Sequence, residues 1–331
     1  MPNETRSQPW MIATIVLGIA LVLALVFLFT GSPDGEPESS ASTTLGEVAT
    51  TVAGTPSDHL AIVVDNAPAA RPQTGIADAP LLIEYPVEGG MTRFTVVMSI
   101  ASGVTVGPVR SLRPVNALLL PVLTSAVASS GGQPFVVQDV EAAGLTSVTP
   151  DLAPGFGSAE RGGEPPHDLF LSLDELAEMF VPDAAVSGLP TGGLPETNIE
   201  VTRIDLPFGV GFDYVAEAGY VRRQDGAPFQ VRATPGDDLV ELSHDVIVVL
   251  FAAERAAGYS DSNDVPVSTF DVIGSGDLLV LHEGRMWEGS WSRSALVDPF
   301  LFTDSASELF GLPEGRVYLA IVPRQGQVTT R

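Results

Sequence analysis

Residues 10–30, WMIATIVLGIALVLALVFLFT, form a run of 21 residues without a charged side chain. A helix needs about 20 apolar residues to cross a hydrocarbon core of about 30 Å, and few soluble helices are apolar on every side for that length. Trp10 opens the run, where an aromatic ring suits the membrane interface. A cleaved signal peptide is the alternative, but the sequence that follows, GSPDGEPESS, makes a poor cleavage site. The run therefore predicts an uncleaved transmembrane signal anchor.

The charges on either side of this run predict its orientation. Arg6 is the one basic residue before it, and the chain after it carries only acidic charges until Arg71. Basic residues near the end of a span favour the cytoplasmic side. We therefore expect residues 1–9 to be a cytoplasmic tail. The protein would be single-pass in the cell membrane, with its remaining domains extracytoplasmic.

Composition excludes several classes of function. The net charge of −25 argues against binding to nucleic acid, because cationic side chains supply most of that affinity. The sequence has no cysteine and no lysine, which excludes disulfides, thiol nucleophiles, a P-loop lysine and a Schiff base. Its four histidines are far apart, so a histidine-rich metal site is not expected. We predict no metal and no cofactor, and the sequence leaves open whether the protein is an enzyme.

The chain after the span divides into three parts. Residues 31–57 are rich in Gly, Ser, Thr, Pro and Glu and lack apolar periodicity, which predicts a flexible linker. A second stretch rich in Pro and Gly, residues 182–197, predicts a domain boundary. We therefore expect an N-terminal domain over residues 58–190 and a C-terminal domain over residues 191–331.

Apolar patterning predicts the architecture of both domains. Buried strands are expected at residues 59–66 and 92–100, and a helix at residues 134–144. The later part contains short alternating runs joined by turns such as Asp225-Gly226 and Glu283-Gly284. The predicted fold class is a layered α/β (α+β) sandwich followed by a smaller, mostly antiparallel β domain.

Several motifs, taken together, resemble the YerB-like lipoprotein family, a bacterial envelope family classed as a domain of unknown function. The motifs similar to its N-terminal domain are VVDNAPAARPQTGI (63–76), VEGGMTRF (87–94), GPVRSLRP (107–114), GGQP (131–134) and PPHDLF (165–170). Residues 268–293 resemble its C-terminal domain. The resemblance covers residues 58–325. It implies a layered α/β fold for the first domain and an extracytoplasmic location.

The sequence departs from the family pattern at identifiable positions. It lacks the cysteine that anchors many relatives, and the span at residues 10–30 takes its place. Asp168 stands where an asparagine is expected, and Phe170 where a tyrosine is expected. The resemblance supplies no reaction.

Arginines in the motif loops predict a binding site for an anion. Two of them, Arg110 and Arg113, lie between two prolines in GPVRSLRP, and one helical turn would point both the same way. The guanidinium group matches carboxylate or phosphate with a rigid fork of donors. If the arginines converge, they form a cationic pocket on an acidic protein. The candidates are Arg71, Arg93, Arg110, Arg113 and Arg161.

Structural pairing is the alternative for each of these arginines. Asp65, Glu84 and Glu88 lie in the same motifs and could each fix a loop by pairing with an arginine. These carboxylates, with His167, could instead act as acids or bases. Trp287 and Trp291 share one face of a predicted strand and are more often packing residues than a sugar platform.

Three functions follow from these patterns. The first is a membrane-anchored extracytoplasmic protein that binds an anionic envelope ligand through its arginine loops. The second is an envelope enzyme, such as a phosphotransferase or hydrolase, in which the arginines stabilise charge on phosphate. The third is an interaction module whose β domain pairs with another envelope protein. Because the sequence contains no strong nucleophile or metal motif, it favours binding over catalysis.

Overall fold

The structure is a computed structural model that describes residues 52–55, 58–158, 164–180, 186–197, 199–261 and 263–331. The predicted cytoplasmic tail, the span at residues 10–30 and most of the predicted linker lie outside these residues, as does Arg161. No helix within the described ranges is long and apolar enough to cross a membrane. The described residues belong to one compact unit.

A twelve-stranded mixed sheet forms the centre of this unit. Strands are numbered along the chain. From one edge to the other, the sheet contains β23 (Leu309–Phe310), β22 (Leu301–Asp304), β21 (Arg285–Arg293), β20 (Gly274–His282), β18 (Val246–Ser260), β24 (Val317–Pro323), β3 (Leu81–Pro86), β4 (Thr92–Ser99), β2 (His59–Asp65), β6 (Ala126–Ala128) and β7 (Thr146–Val148), with β19 (Pro266–Asp271) paired to β18 alone.

Strands from both predicted domains meet inside this sheet. β24 runs parallel to β18 on one side and to β3 on the other, so that Val317 lies opposite both Val246 and Leu81. The predicted C-terminal part is therefore not wholly antiparallel. The two parts of the chain share one continuous hydrogen-bonded layer.

Smaller sheets cover the central one. The six-stranded sheet contains β11 (Arg203–Asp205), β12 (Val210–Val215), β13 (Gly219–Gln224), β14 (Ala227–Pro228), β17 (Ser243–His244) and β25 (Thr329–Thr330). The others are formed by β5 (Thr105–Val106), β8 (Phe156–Ser158) and β9 (Leu169–Ser172), by β15 (Gln230–Arg232) and β16 (Leu239–Glu241), and by β1 (Val52–Thr55) and β10 (Val186–Pro190).

The helices in the described residues are few and short, so the fold is mostly β rather than the predicted α/β. The α-helices are α1 (Pro114–Leu119), α2 (Pro134–Ala142) and α3 (Leu173–Ala177), and 3-10 turns span Pro68–Ala70, Glu88–Gly90, Ile100–Ser102 and Leu120–Val122. α1 stops early because Pro121 cannot donate a backbone hydrogen bond. The apolar run that follows continues as strand β6 rather than as helix.

Two predictions about loops have different outcomes. The turns Asp225-Gly226 and Glu283-Gly284 are confirmed, since both residues of each pair have positive φ and join paired strands. Within the predicted linker, residues 31–57, Val52–Thr55 form β1, which pairs with β10. Extended pairing satisfies the backbone groups of this segment.

The hydrophobic core lies on both faces of the central sheet. One core contains Leu82 and Phe94 of the sheet with Phe212 and Tyr220 of the six-stranded sheet. The other packs the sheet against α1 and α2 and contains the buried Trp287 and Trp291. Because side chains of a strand alternate between faces, neighbouring residues in β2, β3 and β4 enter different cores.

The buried His244 makes the stability of the first core depend on pH. Its ring is fully buried against Tyr318, and neither ring nitrogen has a hydrogen-bond partner among the described residues. Burial lowers the pKa of His244 to about 3, and the charges of Arg316 and Arg222 act in the same direction. The unfolded chain, with an ordinary histidine pKa of about 6.5, takes up this proton first as the pH falls.

We predict that His244→Phe makes folding less sensitive to mild acid. The stability that a neutral His244 contributes is complete above about pH 6.5 and is lost at about 1.4 kcal/mol per pH unit below it. Urea unfolding measures the free energy of unfolding at pH 7.5 and at pH 5.0. The decrease between the two pH values should be smaller by about 2 kcal/mol in the variant than in the wild type. The control His282→Gln should keep the wild-type fall. An equal fall in His244→Phe would contradict the prediction.

Candidate functional site

Strand register places three polar side chains in a row at one end of the central sheet. Arg93 of β4 lies opposite Asp65 of β2 and opposite Tyr85 of β3. Directly opposed residues share a face of the sheet, so all three point toward the side that α1 and α2 cover. The next residues along, Phe94 and Glu84, point toward the six-stranded sheet.

The GPVRSLRP segment runs extended across the end of this sheet. Arg110 donates its N–H to the Val63 carbonyl at 2.9 Å and accepts from the Ser130 N–H at 3.1 Å. The segment does not form the helical turn that would point Arg110 and Arg113 the same way. Arg113 has extended dihedral angles and α1 begins only after it, because a residue that precedes proline avoids the helical region.

Asp65 holds His167 and Arg110 at its buried carboxylate. Its Oδ2 lies 2.6 Å from His167 Nδ1 and 3.0 Å from Arg110 Nε, and its Oδ1 accepts the Ala67 N–H at 3.1 Å. An ionised carboxylate can only accept, so Nδ1 of His167 is the donor in this contact, and in the neutral ring Nε2 is then the nitrogen that can accept a proton. The histidine ring is about one-fifth exposed, with its side chain at 19%.

Arg113 is held by a second carboxylate. Its Nε donates to Glu88 Oε2 at 2.9 Å and its Nη2 donates to Glu88 Oε1, which makes a bidentate pair. Nη1 donates to the Leu112 carbonyl at 3.0 Å. The backbone N–H of Arg113 donates to Asn116 Oδ1 at 2.7 Å. The side chain and backbone of Arg113 are therefore both fixed.

Arg110 and Arg113 line one pocket of about 380 Å³. The first half of the chain also contributes Ser111, Ser130 and Gln133, and Gln133 precedes the first turn of α2. The second half closes the pocket with the hairpin formed by β18 and β19, which supplies Tyr259, Asp261, Asn263 and Val267. Most of these groups are hydrogen-bond donors or acceptors, so the pocket suits a polar ligand.

Arg93 lies buried behind this pocket. It is 3% exposed, and it donates from Nη1 to the carbonyl of Ser111, a residue of the pocket wall, at 3.0 Å. Its Nε has no hydrogen-bond partner, and no carboxylate of the described residues lies within ion-pair distance of it. A buried cation without a counter-ion is costly. This charge therefore requires an explanation.

The electrostatic environment of the pocket follows from this arrangement. Burial lowers the pKa of Arg93, Arg110 and Arg113, which nevertheless stay charged at neutral pH. Burial raises the pKa of Tyr259, while the charges of Arg113 and Arg93 act in the opposite direction. The backbone amide of Val265 lowers the pKa of Asp261, which stays an ionised acceptor.

A separate charged cluster occupies the opposite face of the sheet. Glu84 accepts from Arg222 Nη2 at 2.7 Å and from the Tyr318 hydroxyl, and both Glu84 and Arg222 are buried. Burial by itself lowers the pKa of Arg222, but the adjoining Glu84 carboxylate raises it above its ordinary value. Arg71 belongs to this cluster, since it donates to Asn66 and lies 5.5 Å from the Phe229 ring centroid.

The structure thus brings together only some of the predicted site residues. Arg110, Arg113 and Glu88 line the pocket, and Asp65, Arg93 and His167 adjoin it. Arg71 and Glu84 lie on the other face, and Arg161 lies outside the described residues. In the described part of the chain, no three acidic, histidine or cysteine side chains are grouped so as to hold a metal.

Sequence reasoning missed the second half of the pocket. Gln133 could have been found, because GGQP precedes a predicted helix whose first amides face the loop. Tyr259, Asp261 and Asn263 carried no such signal. They reach the pocket only through a hairpin that is distant in sequence from GPVRSLRP.

Comparisons with known proteins identify the family. A model described as protein of unknown function (DUF3048), N-terminal domain, matches residues 46–185, and the model of the corresponding C-terminal domain matches residues 203–319. The chain belongs to the DUF3048 family. The resemblance to YerB-like proteins is therefore confirmed, and the pocket lies between segments of both DUF3048 domains.

One relative, YerB from Bacillus subtilis, is similar to the chain both in sequence and in structure. A Bacillus subtilis (strain 168) protein named "Putative lipoprotein YerB" is 32% identical over 116 residues, which make up 35% of this chain and 35% of that protein. The crystal structure of the YerB protein from Bacillus subtilis is similar with a TM-score of 0.66 and 21% identity, and covers 82% of this chain and 93% of that chain. The DUF3048 chain therefore shares the fold of YerB.

The Glu84–Arg222 pair yields a stability prediction. Glu84→Gln or Arg222→Met alone should destabilise the fold by about 3–5 kcal/mol, because each leaves an uncompensated buried charge. The double variant should lose less than the sum of the two, with a coupling of about 1–3 kcal/mol. Urea unfolding of the four proteins measures this cycle. Additive losses of stability would mean that Glu84 and Arg222 are not coupled. Arg203→Gln, which removes one partner of a surface ion pair, is the control.

Proposed function

We propose that this chain is a membrane-associated envelope protein that binds a small anionic ligand in the pocket between GPVRSLRP and the β18–β19 hairpin. The envelope location is supported by the lipoprotein name of the relative and by the apolar run at residues 10–30. The ligand class is supported by the arginines of the pocket.

The observation that carries the proposal is the buried, unpaired guanidinium of Arg93 directly behind the pocket wall. Asp65 lies opposite Arg93 and favours its charged form, but its carboxylate contacts Arg110 and His167, and Glu88 contacts Arg113, so neither carboxylate pairs directly with Arg93. An anion in the pocket would supply the missing negative charge. In a partly dehydrated site this attraction is stronger than in bulk water.

Arg110 and Arg113, called the rim arginines below, keep N–H donors for such a ligand. A guanidinium has five N–H donors. The contacts of Arg110 are Nε to Asp65 and a long bond of 3.4 Å from Nη1 to the Pro166 carbonyl, which leaves Nη2 without a partner among the described residues. The hydroxyls of Ser111 and Ser130 are hydrogen-bonded to each other at 3.2 Å, so one of the two O–H groups remains as a further donor. Their fixed positions reduce the ordering that binding requires.

The proposal predicts that sulfate, an anion that does not titrate near neutral pH, binds the full-length protein in mild detergent. Arg110→Gln should weaken this binding about 10- to 100-fold, because a hydrogen bond to a charged group contributes about 1.5–3 kcal/mol. Isothermal titration calorimetry measures the affinity, and thermal unfolding should show a matching loss of stabilisation by the anion.

Arg203→Gln is the matched control, since Arg203 also pairs with surface carboxylates but lies in the six-stranded sheet. It should bind sulfate as the wild type does. Arg113→Gln gives a second variant in case Arg110→Gln disturbs the fold. The proposal fails if the wild type binds no anion, or if the rim variants bind as tightly as the control.

A second candidate function is acid–base catalysis in the same pocket. It is favoured by the 2.6 Å contact between Asp65 and His167, which fixes the histidine ring and leaves Nε2 free. His167 is linked to the pocket through Arg110, which lines the pocket and contacts both the Asp65 carboxylate and the carbonyl of Pro166, the residue before His167. In such a reaction His167 would accept a proton from the water molecule that attacks the phosphorus of a bound phosphate ester, while the ester P–O bond breaks and the alcohol or phenolate leaves.

We predict that, if this second function holds, the protein hydrolyses a phosphate ester such as p-nitrophenyl phosphate, and that His167→Gln lowers kcat about 100-fold or more while KM changes little. Release of p-nitrophenolate measures the rate. His282→Gln should retain activity. The absence of turnover in the wild type, or equal rates in both variants, would leave binding alone as the function.

A further inference from the structure

The pocket holds acceptors as well as cations, and this combination narrows the class of ligand. We infer that the ligand is an acidic sugar or polyol, in which hydroxyl groups accompany one phosphate or carboxylate group. This inference rests on the proposed anion binding and names the chemistry of the rest of the ligand.

Asp261 is the first observation. It lines the pocket and has no arginine, lysine or histidine partner within ion-pair distance among the described residues. Its Oδ1 accepts the backbone N–H groups of Asn263 and Val265, at 2.8 and 2.9 Å, while Oδ2 has a single long contact of 3.4 Å. An ionised carboxylate oxygen with open acceptor capacity repels a bare anion and suits a hydroxyl donor.

The amide and hydroxyl groups are the second observation. Gln133, Asn263 and Ser130 line the pocket, and each of these side chains carries both a donor and an acceptor. A sulfate ion offers only acceptors, and the phosphate dianion offers a single O–H donor, so both leave acceptors of the pocket unused. A sugar hydroxyl donates and accepts at once, so it matches them.

Size and shape agree with this class. A volume of about 380 Å³ lies within the range of about 300–1,000 Å³ of small-molecule sites, whereas a bare phosphate ion would fill a small part of it. Tyr259 also lines the pocket. Its ring makes an edge-to-face contact with the ring of Phe135, with the two ring centroids 4.8 Å apart. A fixed aromatic ring gives a sugar an apolar surface beside its hydroxyl contacts.

The experiment compares matched ligands on the full-length protein at pH 8, where phosphate groups are doubly ionised. Glucose 6-phosphate is measured against inorganic phosphate, glucuronate against acetate, and glucose serves as the uncharged polyol. At least one acidic sugar should bind 10-fold or more tightly than its bare anion, and glucose should bind more weakly than either acidic sugar. The pair that responds distinguishes a phosphorylated ligand from a carboxylated one.

Asp261→Asn tests the acceptor directly. Asparagine keeps the Oδ1 contacts of the turn but removes the negative charge, so the variant should bind bare phosphate more tightly and lose at least half of the preference for the sugar phosphate. Asp264→Asn is the matched control, because this exposed residue of the same hairpin does not line the pocket. Its preference should equal that of the wild type.

The outcomes separate this inference from the proposed function. If bare anions bind as tightly as the acidic sugars, or if Asp261→Asn leaves the preference unchanged, the inference is overturned while anion binding stands. If no anion binds, or if glucose binds as tightly as the acidic sugars, the proposed function fails and the inference fails with it.

Discussion

The placement of β24 between β18 and β3 is the constraint on which the rest of the structure depends. This parallel pairing joins Leu81 and Val246 to the same residue, Val317, and so merges two distant parts of the chain into one sheet. Once the register is set, alternation decides the face on which every side chain emerges. Glu84 meets Arg222 on one face, while Asp65 and Arg93 meet the arginine loop on the other.

The same pairing explains why the pocket needs both halves of the chain. β18 is fifteen residues long and extends beyond its partner β24. The extension pairs with β19 and carries Tyr259 and Asp261 to the GPVRSLRP segment. That segment in turn is fixed by backbone hydrogen bonds to the ends of β2 and β6. The first half supplies the arginines, and the second half adds Tyr259 and the Asp261 carboxylate that has no cationic partner in direct contact.

The sequence predicted part of this site for physical reasons that can be traced. Arg110, Arg113 and Glu88 lie in loops at strand ends, where side chains converge, and they do share one pocket. The grouping of Arg71 with them has no support in the structure, because Arg71 packs with Asn66 and Phe229 on the other face. Sequence alone could not assign these faces, since a register shift of one residue reverses them.

The sequence by itself determined the strands, the tight turns, the absence of cysteine and lysine chemistry, and the family. Each of these depends on local patterning or on which residue types are present. Tertiary structure alone decided that Glu84 is a buried ion-pair partner, that Arg93 is a buried cation with no carboxylate in direct contact, and that Asp261 lines the same pocket as Arg110 and Arg113. These properties depend on contacts between residues far apart in the chain, and local sequence carries no record of the pairing that creates them.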